Sequence, residues 1–156
     1  YDKSKVKMFV LNYPSNPIGA TADLAYYKKV VEFGLKHNIL ICSDAAYADM
    51  SFDIIPAPSM LEIEGAKDIT IEFHSLSKPY SMTGWRIGFA VGNSDAVSIL
   101  SKVKSTTDTG VFKAIQKAGA KALTAPFCCK SISNAIFFDS SAIIFLLNQF
   151  LLIRCL

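Results

Sequence analysis

The chain has 156 residues, of which 51% are hydrophobic and 19% charged, and its net charge is +3. That length suits one ordinary domain with a sizeable core, and that balance excludes a disordered chain. The lysines alternate with apolar residues and form no dense basic run, which argues against a nucleic-acid partner.

In chain order, "KVKMFVLNY" over residues 5–13 reads as a buried strand, rich in β-branched and aromatic residues and closed by Pro14. "PSNPIGAT" is a turn, stiffened by two prolines around Asn16. Thr21 is the expected helix N-cap, with Asp23 in the first turn and an apolar face of Leu24, Tyr27, Val31 and Leu35. The helix should fade near His37 and Asn38. "ILICS", residues 39–43, is a second buried strand and delivers Asp44 at its end. Residues 52–66 read as loop, with Pro56 and Pro58. "DITIEFHS", residues 68–75, is a third strand and leads into "LSK". "RIGFAVG", residues 86–92, is a fourth. Asn93 or Ser94 should cap a helix running to about Ser105, and a further helix should cover 110–123. This alternation argues an α/β layer with a largely parallel sheet. In such sheets ligands bind beyond the carboxyl ends of strands, where Asn16, Asp44 and Ser75 to Lys78 would converge.

The final stretch differs. From Phe127 to Leu156 only Lys130, Asp139 and Arg154 are charged. "SAIIFLLNQFLLIRCL" is interrupted by Asn148 and Gln149 and falls short of the roughly 20 apolar residues of a membrane span. Four cysteines (Cys42, Cys128, Cys129 and Cys155) show neither a CxxC pair nor a cysteine–histidine ligand spacing. No metal site is expected, and a reducing, cytoplasmic setting is. His37 and His74 lack a ligand pattern and read as structural or helix-end histidines.

The chemistry lies at the strand ends. A lysine amine such as Lys78 attacks carbonyls once neutral. Arg86 presents a fork of donors suited to phosphate, and Ser75 and Ser77 add hydroxyls. Gly84 and Gly88 flank the arginine turn and would let backbone approach closely. A carboxylate at the end of an apolar strand, Asp44, needs a partner such as a protonated ring nitrogen. Tyr47 would donate to another ring substituent, and the Asn16 amide would face the same rim. Each has an ordinary alternative: a solvated loop lysine, an aspartate that caps a turn, a turn asparagine. Together they match the needs of pyridoxal 5'-phosphate, with its aldehyde, phosphate and pyridine nitrogen.

Four motifs in order carry a family resemblance. "NYPSNPIGA", "SDAAY", "SLSK" and "GWRIGF" resemble the cofactor-binding motifs of the class I/II aminotransferases, the fold-type I pyridoxal-phosphate enzymes. The wording "GAKDITIEFHSLSKPYSMTGWRIGFAVGN" is closest to the diaminopimelate branch of that family, in lysine biosynthesis. The resemblance implies a three-layer α/β large domain with a mostly parallel sheet, incomplete in this chain. It implies that Lys78 binds the cofactor's aldehyde and carries the catalytic proton. It matches Asp44 to the ring nitrogen, Asn16 and Tyr47 to the ring oxygen, and Ser75 and Arg86 to the phosphate. It also implies a small-molecule amino acid and a 2-oxo acid as substrates, LL-diaminopimelate and 2-oxoglutarate in that branch, and a homodimer. "STTDTG", residues 105–110, falls where a partner subunit approaches the site in relatives.

Ile18 replaces a threonine common in the family. The family's N-terminal segment that stacks on the cofactor ring, and its C-terminal small domain with a substrate-binding arginine, are expected to lack counterparts among these 156 residues. Residues 1–123 are thus expected to be part of a large domain, and 124–156 an apolar tail of other origin, such as truncated or out-of-frame translation. A remnant without activity, or a carbon–sulfur lyase or decarboxylase on the same scaffold, would carry the same cofactor residues.

Overall fold

The computed structural model describes residues 5–50, 57–124, 143–147 and 150–154. β1 (Met8–Asn12), β2 (Leu40–Asp44) and β3 (Thr70–Ser75) run parallel, with Asn12 level with Asp44 and Asp44 level with Phe73. β4 (Gly88–Gly92) returns antiparallel to β3, with Ser75 opposite Gly88. β5 (Ile143–Leu147) and β6 (Phe150–Arg154) form an antiparallel pair, and β6 lies parallel to β4. The sheet order is β1-β2-β3-β4-β6-β5. The β3–β4 pairing brings the start of β4 to the rim where β1, β2 and β3 end.

Helices cover both faces. α1 (Leu24–His37) crosses between β1 and β2 and buries Tyr27, Val30 and Val31 in a cluster with Leu11, Ile41 and Met60. α2 (Ala66–Ile69) is a single turn before β3. α3 (Ser94–Thr107) packs Val97 against Ile71 and Ala90 on the other face. α4 (Lys113–Thr124) lays Ile115 and Ala118 on a cluster of Leu76, Ile87, Phe89 and Val91. Strand alternation assigns the sides: Ile41, Glu72, Phe89 and Val91 share one face, and Cys42, Ile71, Phe73 and Ala90 the other. The result is helix, sheet, helix. Each fully buried valine or isoleucine contributes roughly 1.5–3 kcal/mol through removal from water.

Several local expectations change. Asp23, not Thr21, is the N-cap of α1, and its carboxylate accepts from the Tyr26 N–H at 2.7 Å. The buried face is Tyr27, Val30, Val31 and Gly34, while Leu24 and Leu35 are exposed. Gly34 explains the rotation. A Cβ there would lie 2.6 Å from Ile69 Cδ1 and 2.9 Å from Ile41 Cδ1, so the helix approaches the sheet along its glycine. Asn38 in the left-handed region ends α1 as expected. Residues 57–66, read as loop, contain a 3₁₀ turn at Met60–Glu62 and the start of α2. A capping box sets that turn: Leu61 N–H donates to Ser59 Oγ at 3.1 Å, and Ser59 N–H to Glu62 Oε1 at 2.7 Å. Asn93 caps α3, which extends to Thr107, past Ser105.

Pro56, Cys128, Cys129 and Cys155 lie outside the described residues. So does most of the expected apolar tail. Among the described residues no helix is long and apolar enough to cross a membrane.

Candidate active site

The carboxyl ends of β2 and β3 and the start of β4 frame a cavity of about 360 Å³. Its wall includes Cys42, Asp44, Phe73, Ser75, Ser77 and Arg86. The size falls within the roughly 300–1,000 Å³ typical of small-molecule sites. Strand periodicity puts Cys42, Asp44, Phe73 and Ser75 on one face, with Asp44 level with Phe73. Gly88 also lines the cavity and shares the face of Ser75, so a side chain there would project inward.

Asp44, Ser75 and Arg86 are each held by short-range bonds. Asp44 Oδ1 accepts from the Ala46 N–H at 3.2 Å, the ordinary turn-capping role for an aspartate. The same side chain lines the cavity, and its charge adds to burial in pushing the Cys42 thiol up. Ser75 Oγ accepts from the Ser77 N–H at 3.1 Å, which folds the chain back after β3. Thr83 links the two halves of the "SLSKPYSMTGWR" segment. Its hydroxyl donates to the Ser77 carbonyl at 3.0 Å, and its own carbonyl accepts from Arg86 Nη1 at 3.2 Å. Arg86 sits in the left-handed region at φ 52°, where a non-glycine residue is strained.

Asn16, Tyr47 and Lys78 form a second group beside the cavity wall. The Asn16 amide donates to the Tyr47 hydroxyl at 3.0 Å, and Lys78 Nζ lies 5.6 Å from the centre of the Tyr47 ring. That separation is within reach of a cation–π contact. Tyr47 belongs to the turn that Asp44 begins, and Lys78 directly follows Ser77, so both groups hang on the same two connections.

Asn12 was not singled out from the sequence, yet it joins the two groups. Its Oδ1 accepts from the Asn16 N–H at 2.9 Å, and its Nδ2 donates to the Asp44 carbonyl at 3.1 Å. The available signal was a polar residue at the end of the apolar run "MFVLN", level with Asp44. Glu72 was also missed: a charged residue inside "TIEFHS" cannot be buried without partners. Gly84 does not behave as expected, since a Cβ added there would meet nothing within 4 Å.

The model for aminotransferase class I and II matches residues 1–138. The chain belongs to the class I and II aminotransferases. This aminotransferase chain is 58% identical over 118 residues to LL-diaminopimelate aminotransferase 2 of Trichormus variabilis, covering 76% of itself and 30% of that protein. It is 48% identical over 122 residues to LL-diaminopimelate aminotransferase of Moorella thermoacetica, covering 78% of itself and 31% of that protein. An aminotransferase structure from Staphylococcus aureus superposes with a TM-score of 0.75 at 39% identity, over 81% of this chain and 33% of that one. The chain thus spans under a third of the length of these relatives. Its strands β1 to β4 and their covering helices are part of the fold-type I large domain.

Enzymes of this family use pyridoxal 5'-phosphate. The donor set of the cavity fits that group. One carboxylate complements a protonated ring nitrogen, and a guanidinium with neighbouring hydroxyls complements a phosphate.

Proposed function

We propose that this chain forms the cofactor-holding part of an enzyme that transfers an amino group from LL-diaminopimelate to 2-oxoglutarate. The observation that carries the reading is the convergence of Asp44, Ser75 and Arg86 on one cavity, with Lys78 beside it over Tyr47. The substrate assignment is supported by the names of relatives at 48–58% identity. We infer further that the enzyme is a cytoplasmic homodimer, the arrangement usual in the family.

The bound cofactor supplies an aldehyde that combines with amines and a ring that draws electron density from the adjoining carbon. Ser75 and Arg86 hold its phosphate, the guanidinium through paired N–H donors. Asp44 keeps a proton on the ring nitrogen; a carboxylate has lone pairs to spare beside the one that Ala46 occupies. The Tyr47 hydroxyl, itself held by Asn16, orients the ring through its oxygen substituent. Lys78 Nζ is the amine that would hold the aldehyde. As a free amine, Nζ would take the proton from the substrate α-carbon and hold it for return on the far side of the substrate nitrogen. The same Lys78 amine would serve proton transfer in the return half-reaction with a second keto acid.

Addition of pyridoxal phosphate to the purified chain tests this. A visible absorption band should appear, and borohydride should fix the added mass on Lys78 in a peptide map. In Lys78→Ala both signals should vanish. Fixation spread over surface lysines, or an unaltered band in Lys78→Ala, would remove the assignment. With the cofactor loaded, LL-diaminopimelate should bleach the band, and an equal response to aspartate would sink the substrate reading.

A further inference from the structure

Glu72 lies in the middle of β3 on the face opposite the cavity, 1% exposed. A carboxylate is costly to bury unless several donors meet it. Four do. Oε1 accepts from Ser59 Oγ at 2.7 Å and from His74 Nε2 at 2.9 Å. Oε2 accepts from the Met60 N–H at 3.1 Å and from Ser43 Oγ at 3.4 Å. An ionised carboxylate has no hydrogen to give, so His74 carries its proton on Nε2. The His74 ring also stacks on Phe89, 4.7 Å between centres and 10° between planes.

Ser43 lies directly behind the cavity wall, and His74 is itself part of that wall. Ser43 precedes Asp44 on β2, and His74 precedes Ser75 on β3. Phe89, under the His74 ring, follows Gly88 at the start of β4. Glu72 therefore clamps β2 to β3 beneath the two residues that face the cavity from those strands. On the rim above, the Ala45 N–H donates to the Phe73 carbonyl at 2.9 Å and the Leu76 N–H to Ile87 at 3.2 Å. Those bonds close the strand ends just past Asp44 and Ser75. An apolar side chain would fill the same space but would leave Ser43 and His74 without their common acceptor.

We propose that Glu72 is a positioning residue for the cofactor site: by holding Ser43 and His74 it fixes the separation of Asp44 from Ser75. The inference rests on the reading of the cavity given above. Glu72→Gln is the informative change, because it keeps the shape and removes the charge and half the acceptor capacity. Val31→Ala, on the buried face of α1 and away from the cavity, provides a comparison of destabilisation without the clamp.

Two measurements decide it, each compared at matched loss of thermal stability. Without cofactor, Glu72→Gln should speed amide hydrogen exchange at Ala45 and Leu76 by about tenfold more than at the α1 amides, since sub-global opening is confined to the clamped ends. With pyridoxal phosphate, its dissociation constant should rise by about tenfold or more, the range seen when a supporting hydrogen-bond partner is lost. Val31→Ala should show neither. If Glu72→Gln behaves like Val31→Ala in both, the proposal is overturned. Should Glu72→Gln fail to fold, His74→Phe retains an aromatic ring beside Phe89 and removes the N–H that His74 gives to Glu72. Faster exchange at Leu76 and weaker cofactor binding in that variant support the clamp, and unchanged values refute it. An unmutated chain that takes up no pyridoxal phosphate would overturn the cavity reading instead, and the exchange measurement alone would then decide the coupling of the strand ends.

Discussion

Glu72 shows how a single buried group sets pH dependence. Burial alone would raise its carboxyl, but the hydrogen bond and charge of His74, with the Ser59 hydroxyl and Met60 N–H, outweigh it and hold the group below the ordinary carboxylate range. A carboxyl depressed by folding stabilises the native state above its unfolded value, about 4.3 for glutamate. That stability drains away as pH falls through the lower folded value. Urea melts taken from pH 6 down to pH 3 should therefore steepen in their loss of stability below the unfolded value. Glu72→Gln should flatten that part of the curve, and an unchanged slope would mean that other carboxyls dominate. The residue types at the candidate site were legible because aldehyde, phosphate and ring nitrogen each require a particular group. Their supports, Asn12, Thr83 and Glu72, were not. An asparagine, a threonine and a glutamate have many ordinary uses, and only their hydrogen-bond partners distinguish them.

Helix α1 illustrates what element-scale patterning resolves. The apolar spacing identified a helix in the right place, and Asn38 marked its end. The cap and the buried face were shifted, because Gly34 contributes nothing to a hydrophobic count yet permits the closest approach to the sheet. Asp23→Ala should cost about 1 kcal/mol of stability, the usual value of an N-cap side chain. Thr21→Ala should stay within about 0.5 kcal/mol, as expected for a residue outside the helix. Thermal melts of the two variants would separate the assignments; a larger loss for Thr21→Ala would restore the cap to that residue. The Ser59–Glu62 capping box was also written in the sequence, as Ser-x-x-Glu, but the prolines nearby drew that stretch toward a loop reading.

At the scale of the molecule, β1 ends the sheet and exposes apolar side chains: Met8 is 51% exposed and Val10 63%. An apolar edge strand offers unpaired backbone groups to other strands. The purified chain should therefore associate as its concentration rises. Met8→Lys places a charge on that edge and should shift sedimentation toward the monomer. Equal association in both forms would locate the contact elsewhere. Gly92 joins β4 to this sheet in a way no other residue allows: at φ 134° a Cβ would lie 2.1 Å from the Thr70 carbonyl oxygen.

Local order in the sequence determined the α/β class, four of the strands, three helices at approximately their observed places, and the residue types proposed to hold the cofactor. Periodicity and turn chemistry act over a few residues, so these features need no distant contact to be read. The antiparallel return of β4, the face that α1 buries, and the clamp of Glu72 on Ser43 and His74 were decided only in three dimensions. Each depends on which strand lies beside which, and on how a buried charge finds donors from β2, β3 and the Ser59 turn at once.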